Sequence, residues 1–509
     1  MISLRQRVGL VRNCVVACVL AALVAWQGSV ARAIEFEVAL DDDIVAEPIS
    51  GQLYVFLSGS AIPEPRIGPN WYRPEAFFRV DVEDFEPGQS RRVDGRAAGF
   101  PTTLDRLPAG DYYAQAVLDH NLDSQQHGRA AGNFYSASLR VSVGSASSQP
   151  LTLTLDRVVT IEPFPLKAWL REIVRPSVLL SSFHGRPVNE YAGVVLPKSY
   201  GDDPSRRYPV IYSIPGFGGT HREALRYRTG PPDATAGEAE FIRVMLSGNC
   251  QWGHHCYADS ATNGPRGRAL IEEMIPYIDQ TFRTIAEPRG RFLTGHSSGG
   301  WSSLWLQVTY PDVFGGVWST APDPVDFRDF QRIDLYAQPP QNMYRDERGE
   351  RRPIARQGKH PLLWYDSFTR MDDTLGRGGQ LRSFEAVFSP LDDAGEPRHM
   401  WDRYSGQVDP EVAKAWRRYG IRVKLEEQWP TLGPKLQGKL HVFCGSEDTF
   451  LLEGAVEKLA ATLKRLGSDA EVVVVPGRDH SNLLSDELMG RIRQAMSATY
   501  LNGKAKKAG

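Results

Sequence analysis

Apolar positions along the chain follow two different rhythms. From residue 34 to about 156 they have the period of β-structure. Gln52-Leu53-Tyr54-Val55-Phe56-Leu57 and Tyr112-Tyr113-Ala114-Gln115-Ala116-Val117-Leu118 read as strands, with a Leu107-Pro108-Ala109-Gly110-Asp111 turn before the second. A further strand pair around 138–143 and 151–155 is expected to complete a small all-β, sandwich-like domain over residues 34–156. Residues 157–190 read as a connector. Beyond Tyr191 the short apolar runs 209–214, 291–294, 316–319, 440–444 and 471–475 are separated by helical stretches. That is the pattern of a mainly parallel sheet covered on both faces, an α/β domain over 191–500. Its clearest helix lies between 452 and 466, where Val456, Leu459 and Leu463 share a face and Gly467 supplies the stop. Between 323 and 436 the sheet rhythm is lost in a segment rich in Pro, Arg and Trp. One helix inside it is marked by Asp409 as N-cap and Pro410 in the first turn. This irregular insertion is a candidate cover for an active site. Residues 501–509, with Lys504, Lys506 and Lys507, read as a disordered tail.

Composition adds the compartment and removes some partners. The 509 residues are 41% hydrophobic and 24% charged, ordinary values for a globular chain of more than one domain. Arg5, Arg7 and Arg12 precede an apolar stretch from Cys14 to Trp26, and Ala31-Arg32-Ala33 supplies a small-residue cleavage pattern. Residues 1–33 therefore read as a signal peptide, and the protein as exported, periplasmic or secreted. The apolar run falls short of the roughly 20 residues that span a bilayer, so no stable membrane span is expected. Removing the segment takes away four arginines and no acid, and the net charge moves from −2 to −6. Nothing in that balance invites a polyanion. The arginine-rich stretch 345–359 is interrupted by Asp346, Glu347 and Glu350 and has no aromatic interleaving, so no nucleic-acid partner is expected. Cys250 and Cys256 are close enough in an oxidising compartment to form a disulfide. His254 and His255 between them lack a second ligand pair with metal spacing, and neither a metal nor another cofactor is expected.

Chemistry enters with Gly295-His296-Ser297-Ser298-Gly299. G-x-S-x-G marks a serine on a sharp strand-to-helix turn, and here Arg291-Phe292-Leu293-Thr294 supplies the strand and the run from Trp301 to Tyr310 the helix, stopped by Pro311. A serine hydroxyl is a weak nucleophile at neutral pH, so an imidazole must take its proton and a carboxylate must orient that imidazole. Both follow in the order acid then histidine. The run 440–444 leads into Gly445-Ser446-Glu447-Asp448, and the run 471–475 into Pro476-Gly477-Arg478-Asp479-His480. Asp448 is assigned as the acid, with Glu447 and Glu453 as alternatives, and His480 as the base. Asp479 reads as a loop or capping residue, His441 as a packed core histidine, and His221 as a candidate for lining the pocket. Upstream, the strand ending at Ile214 is followed by Pro215-Gly216-Phe217-Gly218-Gly219-Thr220, a loop able to aim backbone N–H groups at a developing oxyanion. The donors are Phe217 or Gly218 together with Ser298.

The run Tyr191-Ala192-Gly193-Val194-Val195-Leu196-Pro197, the stretch Arg207-Tyr208-Pro209-Val210-Ile211-Tyr212 with its glycine loop, the helix candidate 271–279, the elbow and the two late loops together resemble the Putative esterase family. That family includes esterase D, feruloyl esterases and enterochelin esterases. The resemblance covers about residues 190–320 and 438–495. It implies an α/β-hydrolase fold and hydrolysis of carboxylic esters without metal or organic cofactor, with acylated sugars, phenolic esters and siderophore esters as substrate classes. No motif singles out a siderophore. The segment between Ser297 and Asp448 is longer than a compact esterase needs, and the 34–156 domain is a second departure. Three other readings share these residues: acyl transfer to a sugar or lipid hydroxyl, a non-catalytic exported protein that binds a glycan or protein surface, and a prolyl-oligopeptidase-like peptidase. The N-terminal region is too short for the propeller of the last.

Overall fold

The computed structural model describes residues 34–508 apart from 145–148, 233 and 236, so the signal-peptide assignment to 1–33 lies outside the described residues. The chain forms two compact units. The first takes the chain up to Pro69, then Glu75–Asp119 and Phe134–Val158. Its nine strands are hydrogen-bonded into one sheet. The two strands read from alternation pair antiparallel, Leu53 opposite Leu118 and Val55 opposite Ala116. Strands Leu139–Val143 and Leu151–Val158 do not pair with each other as expected. The first joins Gly110–Asp119, and the second runs parallel to Phe36–Leu40, setting Val38 opposite Leu153 and Leu40 opposite Leu155. That register is the one that buries Val38, Leu40, Leu153 and Leu155 together with Leu53, Val55, Phe78 and Leu118 in one core.

The second unit comprises Val159 onward together with two short segments, Asn70–Pro74 and His120–Asn133, whose chain neighbours belong to the first. Its eight-stranded sheet has the order Leu170–Pro176, Asn189–Val195, Ile242–Leu246, Val210–Ile214, Arg291–His296, Gly316–Thr320, Leu440–Gly445, Glu471–Val475. Asn189–Val195 is antiparallel to both neighbours, and the six strands beyond it are parallel. This is an α/β-hydrolase fold. Central strands such as Gly316–Thr320 are buried at every position, which is why they read as continuous apolar runs and not as alternation. Part of the expected connector belongs to this unit: Leu170–Pro176 is the sheet's first strand and Val178–His184 a short helix. The misreading has a physical source, because an edge strand with exposed Arg171 and Val174 lacks a buried two-faced pattern.

The irregular segment after Asp323 folds into a hairpin, Pro353–Gln357 with His360–Trp364, and the helices Tyr365–Leu375, Gln380–Phe388, Pro410–Trp416 and Ile421–Leu436. Asp409 caps Pro410–Trp416 as expected, accepting from the Glu411 and Val412 N–H groups. Buried aromatics Phe327, Phe330, Phe384, Phe388 and Trp416 pack against one another, mostly edge-on or tilted. Beside them Glu385 is fully buried. Burial alone would raise its pKa, but Arg403, His399 and Arg382 draw it down to about 2, so it is held as a carboxylate. At the other end of the chain, the helix Asp486–Ala508 continues through the segment expected to be a free tail.

The expected Cys250–Cys256 bridge is not formed; Cys250, Cys256 and Cys444 are free, buried thiols. The hairpin Asn249–Cys250 with Gly253–His254 sets Cys250 opposite Gly253 and carries Cys256 past the pairing position. Cys250 Sγ then meets Asn263 Oδ1 at 3.5 Å and Cys256 Sγ the His254 carbonyl at 3.6 Å. Burial pushes both thiols up in pKa, so neither is an active nucleophile at neutral pH. Alkylation of denatured but unreduced protein is expected to modify both cysteines on the tryptic peptide 244–266. Recovery of that peptide unalkylated and lighter by two hydrogens would establish the bridge instead.

Candidate active site

Ser297 stands where the strand Arg291–His296 turns into the helix Ser298–Thr309, with φ 59° and ψ −125°. Such a backbone costs a residue with a side chain on the order of 1–3 kcal/mol and persists only where its surroundings hold it. Here the Ser297 N–H donates to the Thr320 carbonyl at 3.0 Å, and its own carbonyl accepts from Trp301 at 3.0 Å and Asp323 at 3.3 Å. The elbow is also crowded. A Cβ on Gly295 would lie 2.1 Å from the Gly299 carbonyl oxygen, and one on Gly299 would lie 2.0 Å from the Ile214 carbonyl oxygen. Both motif glycines are required by contact, whatever their dihedrals.

Strands Leu440–Gly445 and Glu471–Val475 lead to Asp448 and His480, the candidates for acid and base. Asp448 is fully buried; its Oδ1 accepts from the Phe450 N–H at 2.8 Å and its Oδ2 faces His480 Nδ1 at 2.8 Å. With Nδ1 committed to the carboxylate, Nε2 is the nitrogen left to exchange a proton. The His480 ring lies between His296, at 4.6 Å, and Phe450, at 4.9 Å. Burial, with the neighbouring His480 second, lowers His296 to about pKa 4. It is therefore neutral near pH 7 and does not oppose protonation of His480.

The glycine loop forms a turn closed by the Gly219 N–H on the Gly216 carbonyl at 3.0 Å, with Gly218 at φ 81° in the third position, where a type II turn needs glycine. It runs against Ser297: a Cβ built on Gly216 would sit 3.3 Å from Ser297 Cβ and 3.9 Å from Ser297 Oγ. Among the described residues the Phe217 and Ser298 N–H groups have no protein acceptor. Gly218 does. With the Gln125 amide oriented to match its surroundings, its oxygen is assigned as acceptor of the Gly218 N–H at 2.8 Å and its NH₂ as donor to the Gly253 carbonyl at 3.3 Å. The reverse amide orientation would set oxygen against oxygen and nitrogen against nitrogen. Of the two alternatives for the first donor, Phe217 is thus the one left available. The Ser298 hydroxyl donates to Asp323 Oδ2 at 2.5 Å, and burial raises Asp323 to about pKa 6 against the pull of Ser298 and His480.

Ser297, His480, His296, Gly216 and Phe217 open onto one cavity of about 260 Å³. Its remaining wall is mostly apolar: Trp71, Ile354, Leu363, Phe368, Leu381, Phe384, Phe450 and Leu452. Five of these come from the 323–436 insertion, which therefore walls the cavity. Trp71 packs on Phe217 at 5.6 Å and edge-on to Phe368 at 5.2 Å.

The alternative assignments lie elsewhere. Glu453 is tied to Arg332 at 2.5 Å and Arg356 at 2.6 Å, and Glu447 is exposed. Asp479 caps its own loop through the Ser481 and Asn482 N–H groups. His221 bonds Glu172 at 2.9 Å between the rings of Phe164 and Tyr191 and does not line the cavity. His441 stacks on Trp318 at 4.5 Å. His254 and His255 turn ring nitrogens to the Pro215 and Ser247 carbonyls. Sequence reasoning missed Trp71, Gln125 and Gln126. Their only local signals are an aromatic pair between Pro69 and Pro74 and a Gln-Gln dipeptide in a polar loop. Neither points to a partner more than ninety residues away.

A family model described as Putative esterase matches residues 189–482. Two curated proteins of Mycobacterium tuberculosis, Esterase Rv1288 and Esterase MT1326, are each 33% identical over 157 residues, covering 29% of this chain and 32% of the relative. The chain thus matches about a third of the length of these relatives. A solved ferulic acid esterase superposes with a TM-score of 0.41 at 15% identity, covering 65% of this chain and 98% of the other.

Because the elbow has no room for a methyl group, Gly299→Ala is expected to destabilise the fold by the roughly 1–3 kcal/mol of overpacking or more. Its melting midpoint, read by circular dichroism, should fall by several degrees. An unchanged midpoint would show that the elbow relaxes freely.

Proposed function

The chain belongs to the Putative esterase family, and from that premise we propose that it is an exported serine esterase acting through Ser297, His480 and Asp448. One observation carries the reading: Ser297, in strained backbone, faces the same cavity as His480, whose other ring nitrogen is held by a buried carboxylate. In the proposed cycle His480 Nε2 accepts the Ser297 hydroxyl proton as Oγ attacks the ester carbonyl. Asp448 stabilises the resulting imidazolium without taking the proton. The carbonyl oxygen gains a negative charge that the Phe217 and Ser298 N–H groups, neither of which has a protein acceptor to give up among the described residues, can stabilise. His480 then passes the proton to the leaving alcohol, an acyl-enzyme remains on Ser297, and water resolves it by the same route in reverse. The apolar aromatic wall suits an apolar acyl or aryl group on the substrate. Export is part of the proposal on the strength of Arg5, Arg7, Arg12, the apolar stretch after them and Ala31-Arg32-Ala33.

Intact-mass measurement of the exported protein after a fluorophosphonate probe tests both parts. The expected result is a chain beginning at Ile34 that carries a single adduct on Ser297, with release of nitrophenol from short-chain esters abolished in Ser297→Ala. A folded protein that takes no adduct would sink the esterase reading in favour of a binding protein. A mass that retains the first 33 residues would sink export.

Trp71 tests the substrate class. Trp71→Ala is expected to cost about tenfold or more in kcat/KM on octanoyl or aromatic acyl esters and much less on acetyl esters, as loss of apolar contact does. Equal losses on all esters would show that Trp71 does not contact the acyl group.

A further inference from the structure

The segment His120–Asn133 leaves the β unit and belongs to the unit that carries the elbow. It is well anchored there. Asn133 Oδ1 accepts from the His120 and Asn121 N–H groups, both at 3.1 Å, and Asn133 Nδ2 donates to the His127 carbonyl at 2.7 Å. Asn249 Oδ1 accepts from the Gln125 N–H at 3.3 Å, and Arg186 pairs with Asp123 at 2.8 Å. From this frame two adjacent side chains reach one residue of the glycine loop. Gln125 Oε1 takes the Gly218 N–H at 2.8 Å, and Gln126 Nε2 donates to the Gly218 carbonyl at 2.8 Å. Gly218 is therefore held at both ends of its backbone.

The consequence follows from turn geometry. In a type II turn the central peptide, here between Phe217 and Gly218, is free to rotate toward its type I orientation unless something pins it, because the two forms differ mainly in that plane. Gln125 pins its N–H, and Gln126 pins the next peptide through the carbonyl. The Phe217 N–H, one peptide upstream, keeps its aim only while that turn keeps its form. Resting on the proposed esterase reading, we infer that Gln125 and Gln126 are positioning residues for the oxyanion hole, so that a segment more than ninety residues away in sequence sets the geometry of transition-state stabilisation.

Isosteric Gln126→Met and Gln125→Met remove the polar contacts while keeping volume, and Gln126→Ala serves if either fails to fold, with melting midpoints checking each. Steady-state kinetics on a nitrophenyl ester are measured alongside inhibition by an alkyl boronic acid, whose tetrahedral adduct on Ser297 places an oxygen in the hole. The expected result is a fall in kcat of about tenfold or more, up to the roughly 10²–10³ that outright loss of a donor costs. Boronate affinity should weaken in parallel, with KM changed by less than about twofold, as loss of an interaction made only in the transition state requires. Unchanged kcat and boronate affinity in folded variants would overturn the inference. So would a rise in KM alone, which would make the segment a substrate contact. Wild-type protein that neither turns over esters nor binds the boronate would overturn the esterase reading itself, and this inference with it, a result distinct from variants that match an active wild type.

Discussion

The constraint on which the site depends is the backbone crossing at the elbow. The Gly295 and Gly299 positions approach each other and the Ile214 carbonyl so tightly that no side-chain carbon fits. This contact fixes where the Ser298–Thr309 helix leaves the sheet and forces Ser297 to φ 59°. The strain is offset by the Ser297 N–H donating to the Thr320 carbonyl and by the Trp301 and Asp323 N–H groups donating to the Ser297 carbonyl, and each of these ties the elbow to a different neighbour. Thr320 belongs to the adjacent strand, whose threonine hydroxyl also donates to the Gly295 carbonyl at 2.9 Å. Asp323 opens the insertion and holds the Ser298 hydroxyl. A small shift of the elbow would therefore be felt in the sheet, the helix and the cavity wall together.

Parallel strands make the rest of the site possible. Because strands Val210–Ile214, Arg291–His296, Gly316–Thr320, Leu440–Gly445 and Glu471–Val475 all run one way, the loops that follow them gather at one edge. The glycine loop, Ser297, Asp323, Asp448 and His480 are the first few residues beyond those five strand ends. Sheet order brings them together from positions as far apart as 216 and 480, and hydrophobic burial of the strands supplies the rigidity. Low dielectric in the cavity then shapes charge. His296 is kept neutral and Asp323 is raised to about pKa 6, both by burial. A proton arriving on His480 meets no second cation and has the Asp448 carboxylate 2.8 Å away.

Most of this was legible in the sequence because it is local. A strand, a turn and a helix each leave a periodic signature, and G-x-S-x-G fixes one turn within five residues. The order serine, acid, histidine could be read because each residue directly follows an apolar run. What was not legible depends on contacts between distant residues. The Leu170–Pro176 strand escaped because an exposed edge has no two-sided burial pattern. The bridge between Cys250 and Cys256 was inferred from spacing, but hairpin register decides which residues face each other, and it sets Gly253 opposite Cys250. The choice between Phe217 and Gly218 could not be made until Gln125 was seen to occupy the Gly218 N–H.

That last case concerns two short segments of the second unit. Segments Asn70–Pro74 and His120–Asn133 interrupt an otherwise continuous β unit, yet they supply Trp71 to the cavity wall and Gln125 and Gln126 to the glycine loop. Loops need a scaffold to be precise, since an unsupported segment loses on the order of 1–2 kcal/mol of backbone entropy per residue when it is fixed. Strand Gly110–Asp119 leads directly into one segment and Phe134–Ser136 directly out of it, so both of its ends are fixed by sheet hydrogen bonds before it reaches the site. Much of the ordering cost is thus met by strands whose own burial already stabilises them. The segment's two hydrogen bonds to Gly218 are what the inferred positioning role rests on.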